Sequence, residues 1–114
     1  MVRKNEFSEK VELFEKKAEI LKSMAHPLRL AVVDFLKDGP QCVCDIAEHV
    51  GSERSNVSRH LSVMTNAGVL DHRKEGLKVI YRLKTPCVVD FLDCVNRCLL
   101  QQARENAELL KALE

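Results

Sequence analysis

Two groups of cysteine carry the chemistry in this chain. The first is Cys42-Val43-Cys44-Asp45, with two thiols two residues apart. At that spacing, in extended backbone entering a helix, both sulfurs can point the same way. A helix N-terminus also favours anionic sulfur, the form that binds metal. The second group is Cys87, Cys94 and Cys98. Spacings of seven and four put all three on one face of a helix. Cys94 and Cys98 are one turn apart and can share an ion. Cys87 lies about 10 Å further along the axis, at about 1.5 Å per residue, and joins them only across an antiparallel second copy. All-thiolate sites select soft ions over magnesium, calcium or manganese. Three thiolates suit trigonal arsenite or antimonite, and four suit cadmium or zinc. His26, His49, His60 and His72 are scattered and read as surface or DNA-facing groups, which argues against a nickel or cobalt site.

The elements that must position these thiols follow from periodicity. Phe7, Val11, Phe14, Ala18, Leu21 and Ala25 form one apolar stripe of a helix over residues 7–25, with Ser8 as its N-cap and a Glu12–Lys16 pair on the outer face. Pro27 opens a second helix that buries Leu28, Ala31, Val32, Phe35 and Leu36, and Gly39-Pro40 stops it. A short helix over 44–50 follows, with a capping box from Asp45 and Glu48 and a turn at Gly51. The next helix covers 54–67. It buries Val57, Leu61 and Met64 and ends at Gly68. Residues 69–73 and 78–83 are strand-like, joined by a hairpin tip over 74–77. Pro86 opens a long last helix, about 87–112.

The expected architecture is therefore mainly α with a small β-hairpin. It is a winged helix-turn-helix in a single domain spanning 1–114. The helix-turn-helix occupies about 44–67 and the wing about 69–83, and long helices at about 7–25 and 87–112 flank them. The start of the 54–67 helix is polar. Ser55, Asn56, Ser58, Arg59 and His60 stand there, and Asn and Arg are the side chains that bond adenine and guanine in two places. Arg73, Lys74 and Lys78 on the wing suit phosphate or minor-groove contact. The net charge is +1, from 18 Lys+Arg and 17 Asp+Glu, and excludes little. Its distribution says more: residues 52–82 carry six basic side chains against three acidic, and 84–114 carry four against five. The basic excess lies on the half expected to face DNA.

These residues resemble the ArsR/SmtB family of metal-sensing winged-helix repressors. The likeness covers roughly 20–100. It rests on Ala25-His26-Pro27-Leu28-Arg29-Leu30, Cys42-Val43-Cys44-Asp45-Ile46-Ala47, Ser55-Asn56-Val57-Ser58-Arg59-His60-Leu61, Ala67-Gly68-Val69-Leu70 and Arg73-Lys74-Glu75-Gly76 followed by Tyr81-Arg82-Leu83. The resemblance implies a homodimer that holds a palindromic operator in double-stranded DNA without metal and leaves it when metal binds. In the family, Cys-Val-Cys is associated with arsenite, antimonite, cadmium or lead. The chain departs from the best-known arsenite pattern, which has a third Cys where Ala47 stands. It departs from the cadmium and lead pattern too, since residues 1–41 contain no Cys. Cys87 and Cys98 fall where zinc-sensing members place His, with Thr85 and Gln101 at the other two ligand positions.

The expected function is an arsenite- or antimonite-released repressor of a metalloid-resistance operon, with Cys42, Cys44, Cys87, Cys94 and Cys98 as metal ligands. The alternatives are a cadmium, lead or zinc sensor of the same family and a redox or persulfide switch built on the same thiols. No catalytic His stands beside a Cys by motif, and there is no phosphate loop or acid pair, so neither an enzyme nor a small-molecule substrate is expected. The charged start of the chain reads as no leader, no apolar run suits a membrane span, and the location expected is cytoplasmic.

Overall fold

The computed structural model describes residues 6–114. The charged start, residues 1–5, on which the reading of no leader partly rests, lies outside the described residues. The order is α1 (Glu6–Met24), α2 (Pro27–Leu36), β1 (Gln41–Cys42), α3 (Val43–Val50), α4 (Arg54–Asn66), β2 (Leu70–Glu75), β3 (Lys78–Leu83) and α5 (Cys87–Leu113). The elements form a winged helix-turn-helix with a three-stranded antiparallel sheet ordered β1-β3-β2.

Local chemistry explains most of the boundaries. Pro27 sits in the first turn of α2, and the His26 ring caps that helix by accepting the Leu28 N–H at 3.1 Å. Helix α4 closes on Gly68 at φ 83°. The Gly68 N–H donates to the Thr65 carbonyl and the Val69 N–H to the Met64 carbonyl, each at 3.0 Å. This double closure leaves Val69 buried beside the helix end. Gly76 (φ 59°) takes the first position of the two-residue turn between Glu75 and Lys78, where mirror-image hairpin turns call for glycine.

Three local expectations are corrected. Ser8 lies inside α1, which already begins at Glu6 among the described residues. The cap of α3 is Cys42, whose Sγ accepts the Asp45 N–H at 3.4 Å. Asp45 instead places its charge in the first turn, where the helix dipole favours it. The sequence also gave no sign of β1. It is two residues long, pairing Gln41 with Tyr81 and Cys42 with Ile80, too short to show alternation.

The core lies between α2, α3, α4 and the sheet. Val32, Val33, Ile46, Val57, Leu61 and Met64 are fully buried, and Leu70 and Tyr81 close it from the strands. Burying eight such side chains is the main favourable term here. The terminal helices contrast with this. The predicted stripe on α1 exists, but Phe7, Phe14 and Leu21 are exposed, and only Ser23 and Met24 at the end of α1 are buried. On α5 only Val88 is buried, while Phe91, Val95, Leu99 and Leu100 face outward. The radius of gyration is 18.8 Å, against about 13 Å for a compact domain near this length.

Candidate nucleic-acid interface and thiol sites

Helix α4 is anchored by Val57, Leu61 and Met64, spaced four and three apart so that one face is buried. That anchoring turns its other faces outward. Ser55 and Arg59 are exposed, and Asn56 and Ser58 are half-buried. The Asn56 side-chain amide donates to Ser52 Oγ at 2.9 Å across the turn. His60 is placed differently. Its Nδ1 accepts from Arg29 Nε at 3.0 Å, and its ring meets the His26 ring at 4.5 Å between centroids. Arg29 also donates to the Ser23 carbonyl at 3.4 Å. Burial, followed by the nearby His26, Arg29 and Arg59, pushes the His60 pKa down. His60 therefore joins α4 to α2 and, through Arg29, to the end of α1.

The wing carries its basic groups beside the turn. Lys74 and Lys78 are exposed, and Arg73 is paired with Glu75 at 3.1 Å. Arg82 grips Asp71 through two nitrogens at 2.6 and 2.8 Å, across the register pair of β2 and β3. This contact holds the Asp71 carboxyl below its ordinary range. The other two histidines also have aromatic partners. His49 stacks on Phe35 at 4.0 Å, and His72 meets Tyr81 at 5.1 Å.

All five cysteines are free thiols. Cys42 and Cys44 do not share an extended segment, because α3 begins at Val43. Cys42 is buried as the cap, and Cys44 is exposed in the first turn. Both still line one cavity of about 220 Å³, with Val43, Arg54, Ser58, Leu77, Lys78 and Val79. The Arg54 guanidinium donates to Cys44 Sγ. Arg54 counts in the basic excess of residues 52–82 but is not among the DNA-contact candidates of the sequence. Its basic charge at the head of the reading helix was a visible signal, but its partner ten residues upstream was not.

The α5 thiols are set apart from this cavity. Cys87, Cys94 and Cys98 are exposed. Arg97 donates to Cys94 Sγ at 3.3 Å. Cys87 borders a separate hollow with Leu36, Pro40 and Leu83. Among the described residues, no three His, Cys, Asp or Glu side chains stand close enough to hold one ion. The two soft donors at the cavity fit a thiophilic ion.

A buried helix-turn-helix with an outward polar reading face and a basic wing defines a DNA-binding transcriptional regulator. Residues 26–72 match the family model described as bacterial regulatory protein, arsR family. The chain is 30% identical over 102 residues to the uncharacterized HTH-type transcriptional regulator Rv0081 of Mycobacterium tuberculosis, covering 89% of this chain and 90% of that protein. The crystal structure of Rv0081 superposes with a TM-score of 0.74 over 83% of this chain and 96% of that one. The arsenical resistance operon repressor of Staphylococcus xylosus is 31% identical over 86 residues, 75% of this chain and 79% of that protein. The homodimeric winged helix-turn-helix domain Mb0332 of Mycobacterium bovis shares the fold, with a TM-score of 0.78 at 24% identity over 92% of this chain and 95% of that one. The chain belongs to the ArsR family of transcriptional regulators. Among the described residues, no helix is long and apolar enough to cross a membrane.

Proposed function

We propose that the protein is a homodimeric repressor that holds operator DNA and releases it when arsenite or antimonite is taken up by its cysteine thiolates. The observation that carries this reading is the shared cavity of Cys42 and Cys44. It is walled by Arg54 and Ser58 of the helix that reads DNA and by Lys78 of the wing. A ligand there touches both DNA-facing elements at once. When bound, such an ion supplies one thing, a demand that sulfurs converge on it. The resistance repressor of Staphylococcus xylosus supports the choice of ion, as a relative whose name states arsenical resistance.

In this reading, Ser55, Asn56, Ser58 and Arg59 face the major groove. His60 holds α4 in place and offers Nε2, and Arg73, Lys74 and Lys78 contact the backbone beside it. The exposed apolar faces of α1 and α5 are the surface a second copy covers. Covering them brings Cys87 of one copy toward Cys94 and Cys98 of the other, giving a second thiol site for cadmium, lead or zinc. Release needs only a modest coupling, since about 1.4 kcal/mol is tenfold in affinity.

The test is operator affinity by fluorescence anisotropy in anaerobic, reduced buffer, titrating arsenite and then cadmium. Arsenite should weaken binding for the wild type and for the Cys94→Ser/Cys98→Ser variant, and not for Cys42→Ser/Cys44→Ser. Unchanged wild-type affinity with every ion, together with release by an oxidant alone, sinks the metal reading and leaves the thiol redox switch.

A further inference from the structure

Arg54 and Cys44 join the first turns of two helices. Arg54 is the first residue of α4, and Cys44 stands in the first turn of α3. The guanidinium of one donates to the sulfur of the other. No carboxylate lines the cavity they share; its polar lining is two thiols, one hydroxyl, one ammonium and this guanidinium. A cation at a helix N-terminus is opposed by the helix dipole and gains from a nearby electron-rich partner. The sulfur is the partner the structure gives Arg54. A guanidinium carries five N–H donors in a planar fork, so one can rest on Cys44 while the others stay open to a phosphate.

We propose that Arg54 contacts the operator backbone, that Cys44 is the residue that positions it, and that a soft electrophile on Cys44 weakens DNA binding by setting Arg54 loose. The positioning half stands without any inducer, and the release half rests on the arsenite reading above. Chemically, the Cys44 sulfur forms a bond to arsenic as an arsenic–oxygen bond breaks. The thiol proton leaves with the hydroxide as water, and no oxidation state changes. The arsenic-bound sulfur, its electron density drawn toward arsenic, is a poorer acceptor for Arg54, and the ion occupies space in the cavity. Arg54 regains its rotamer freedom, and phosphate binding must order it again.

The full-length chain tests both halves. Operator affinity is measured against salt for wild type, Cys44→Ala, Arg54→Ala, Arg54→Lys and the Cys44→Ala/Arg54→Ala double variant. Arsenite uptake is followed by thiolate–arsenic ultraviolet absorption, and folding is checked by circular dichroism. Without inducer, Arg54→Ala should bind about tenfold more weakly, with the salt slope reduced by about one. Arg54→Lys should keep the slope and lose part of the affinity, because an ammonium lacks the fork. Cys44→Ala should weaken binding only where Arg54 is present, so that the two losses do not add. Additive losses, or an unchanged slope in Arg54→Ala, overturn the positioning half whatever arsenite does. With arsenite, Arg54→Ala should still take up the ion and lose most of the response of the wild type. A full response in Arg54→Ala overturns the release half while leaving the arsenite repressor intact. No uptake by wild type overturns the arsenite reading instead, and with it the release half.

Discussion

The two thiol clusters sit in halves of the molecule that are built differently. Cys42 and Cys44 lie against a buried core that the chain completes by itself, through Ile46, Val57, Leu61 and Met64. The α5 cysteines lie on a helix that contributes one buried side chain, Val88, packs Val89 and Leu92 partly on the core, and shows Phe91, Val95, Leu99 and Leu100 to solvent. The difference is mechanical. The first cluster touches the reading helix within one chain, through Cys44 and Arg54. The second lies further off, on a helix whose first turns pack against α2 and β3 through Val88, Val89 and Leu92. In the proposed reading, an ion at α3 acts next to the helix that faces DNA, and an ion at α5 acts where a second copy packs.

The largest expected effect breaks the second half of this comparison. Phe91, Val95 and Leu99 recur every four residues along the exposed face of α5. A charge at the middle position, Val95→Asp, should turn the dimer into a monomer on sedimentation and leave the far-ultraviolet spectrum of the monomer unchanged. Operator affinity should fall by about a hundredfold or more, because two linked reading heads gain that much from effective concentration. A Val95→Asp protein that stays dimeric and binds its operator normally would move the dimer surface off α5.

A smaller effect sharpens the contrast inside the first cluster. Cys42 and Cys44 are two residues apart yet do different work. Cys42 is buried and closes the N-terminus of α3 through its sulfur. Cys44 is exposed and bonds only outward, to Arg54. Cys42→Ala should therefore lower stability by about 1 kcal/mol, the usual order for losing a cap. Cys44→Ala should change it by less than about 0.5 kcal/mol, as for most surface positions. Urea unfolding of both variants decides this, and equal losses would mean that the cap bond contributes little.

Most of the reading half was legible because local signals agreed. Val57, Leu61 and Met64 fall at helical spacing, and Gly51, Gly68 and Gly76 stand where the chain needs a positive φ. What escaped was tertiary. Val33 is fully buried because α2 is covered over a wider arc than one stripe. The sequence marks Cys42 as a candidate ligand but not as a strand residue and cap, since β1 is recognisable only from its partner β3. The α1 stripe was legible as a face, but Phe7 and Phe14 are exposed because nothing within the chain covers them. Arg54 reads in the sequence as one more basic residue of this segment, and its partner, the sulfur across the turn, is visible only in the fold. Periodicity reports which face is apolar; it does not report what meets that face.

The smallest effect tests the seam between the halves. His60 accepts from Arg29, which also holds the Ser23 carbonyl at the end of α1, so one cation ties α1, α2 and the reading helix together. The bond to Arg29 requires a neutral Nδ1. The groups facing His60 from neighbouring elements, His26 and Arg29, oppose its protonation together with burial and with Arg59 of its own helix. Its folded pKa lies below the ordinary 6.5, so the unfolded chain takes up a proton there first. Stability from this site is then complete above pH 6.5 and is lost as pH falls from 6.5 through the lower folded value. The melting temperature of the wild type should drop slightly across that window, by about 2 °C or less for a partly exposed group. His60→Gln keeps an acceptor for Arg29 and removes the titration, so its melting temperature should vary less over the same range. If the two proteins show the same pH dependence, the seam does not depend on the charge state of His60.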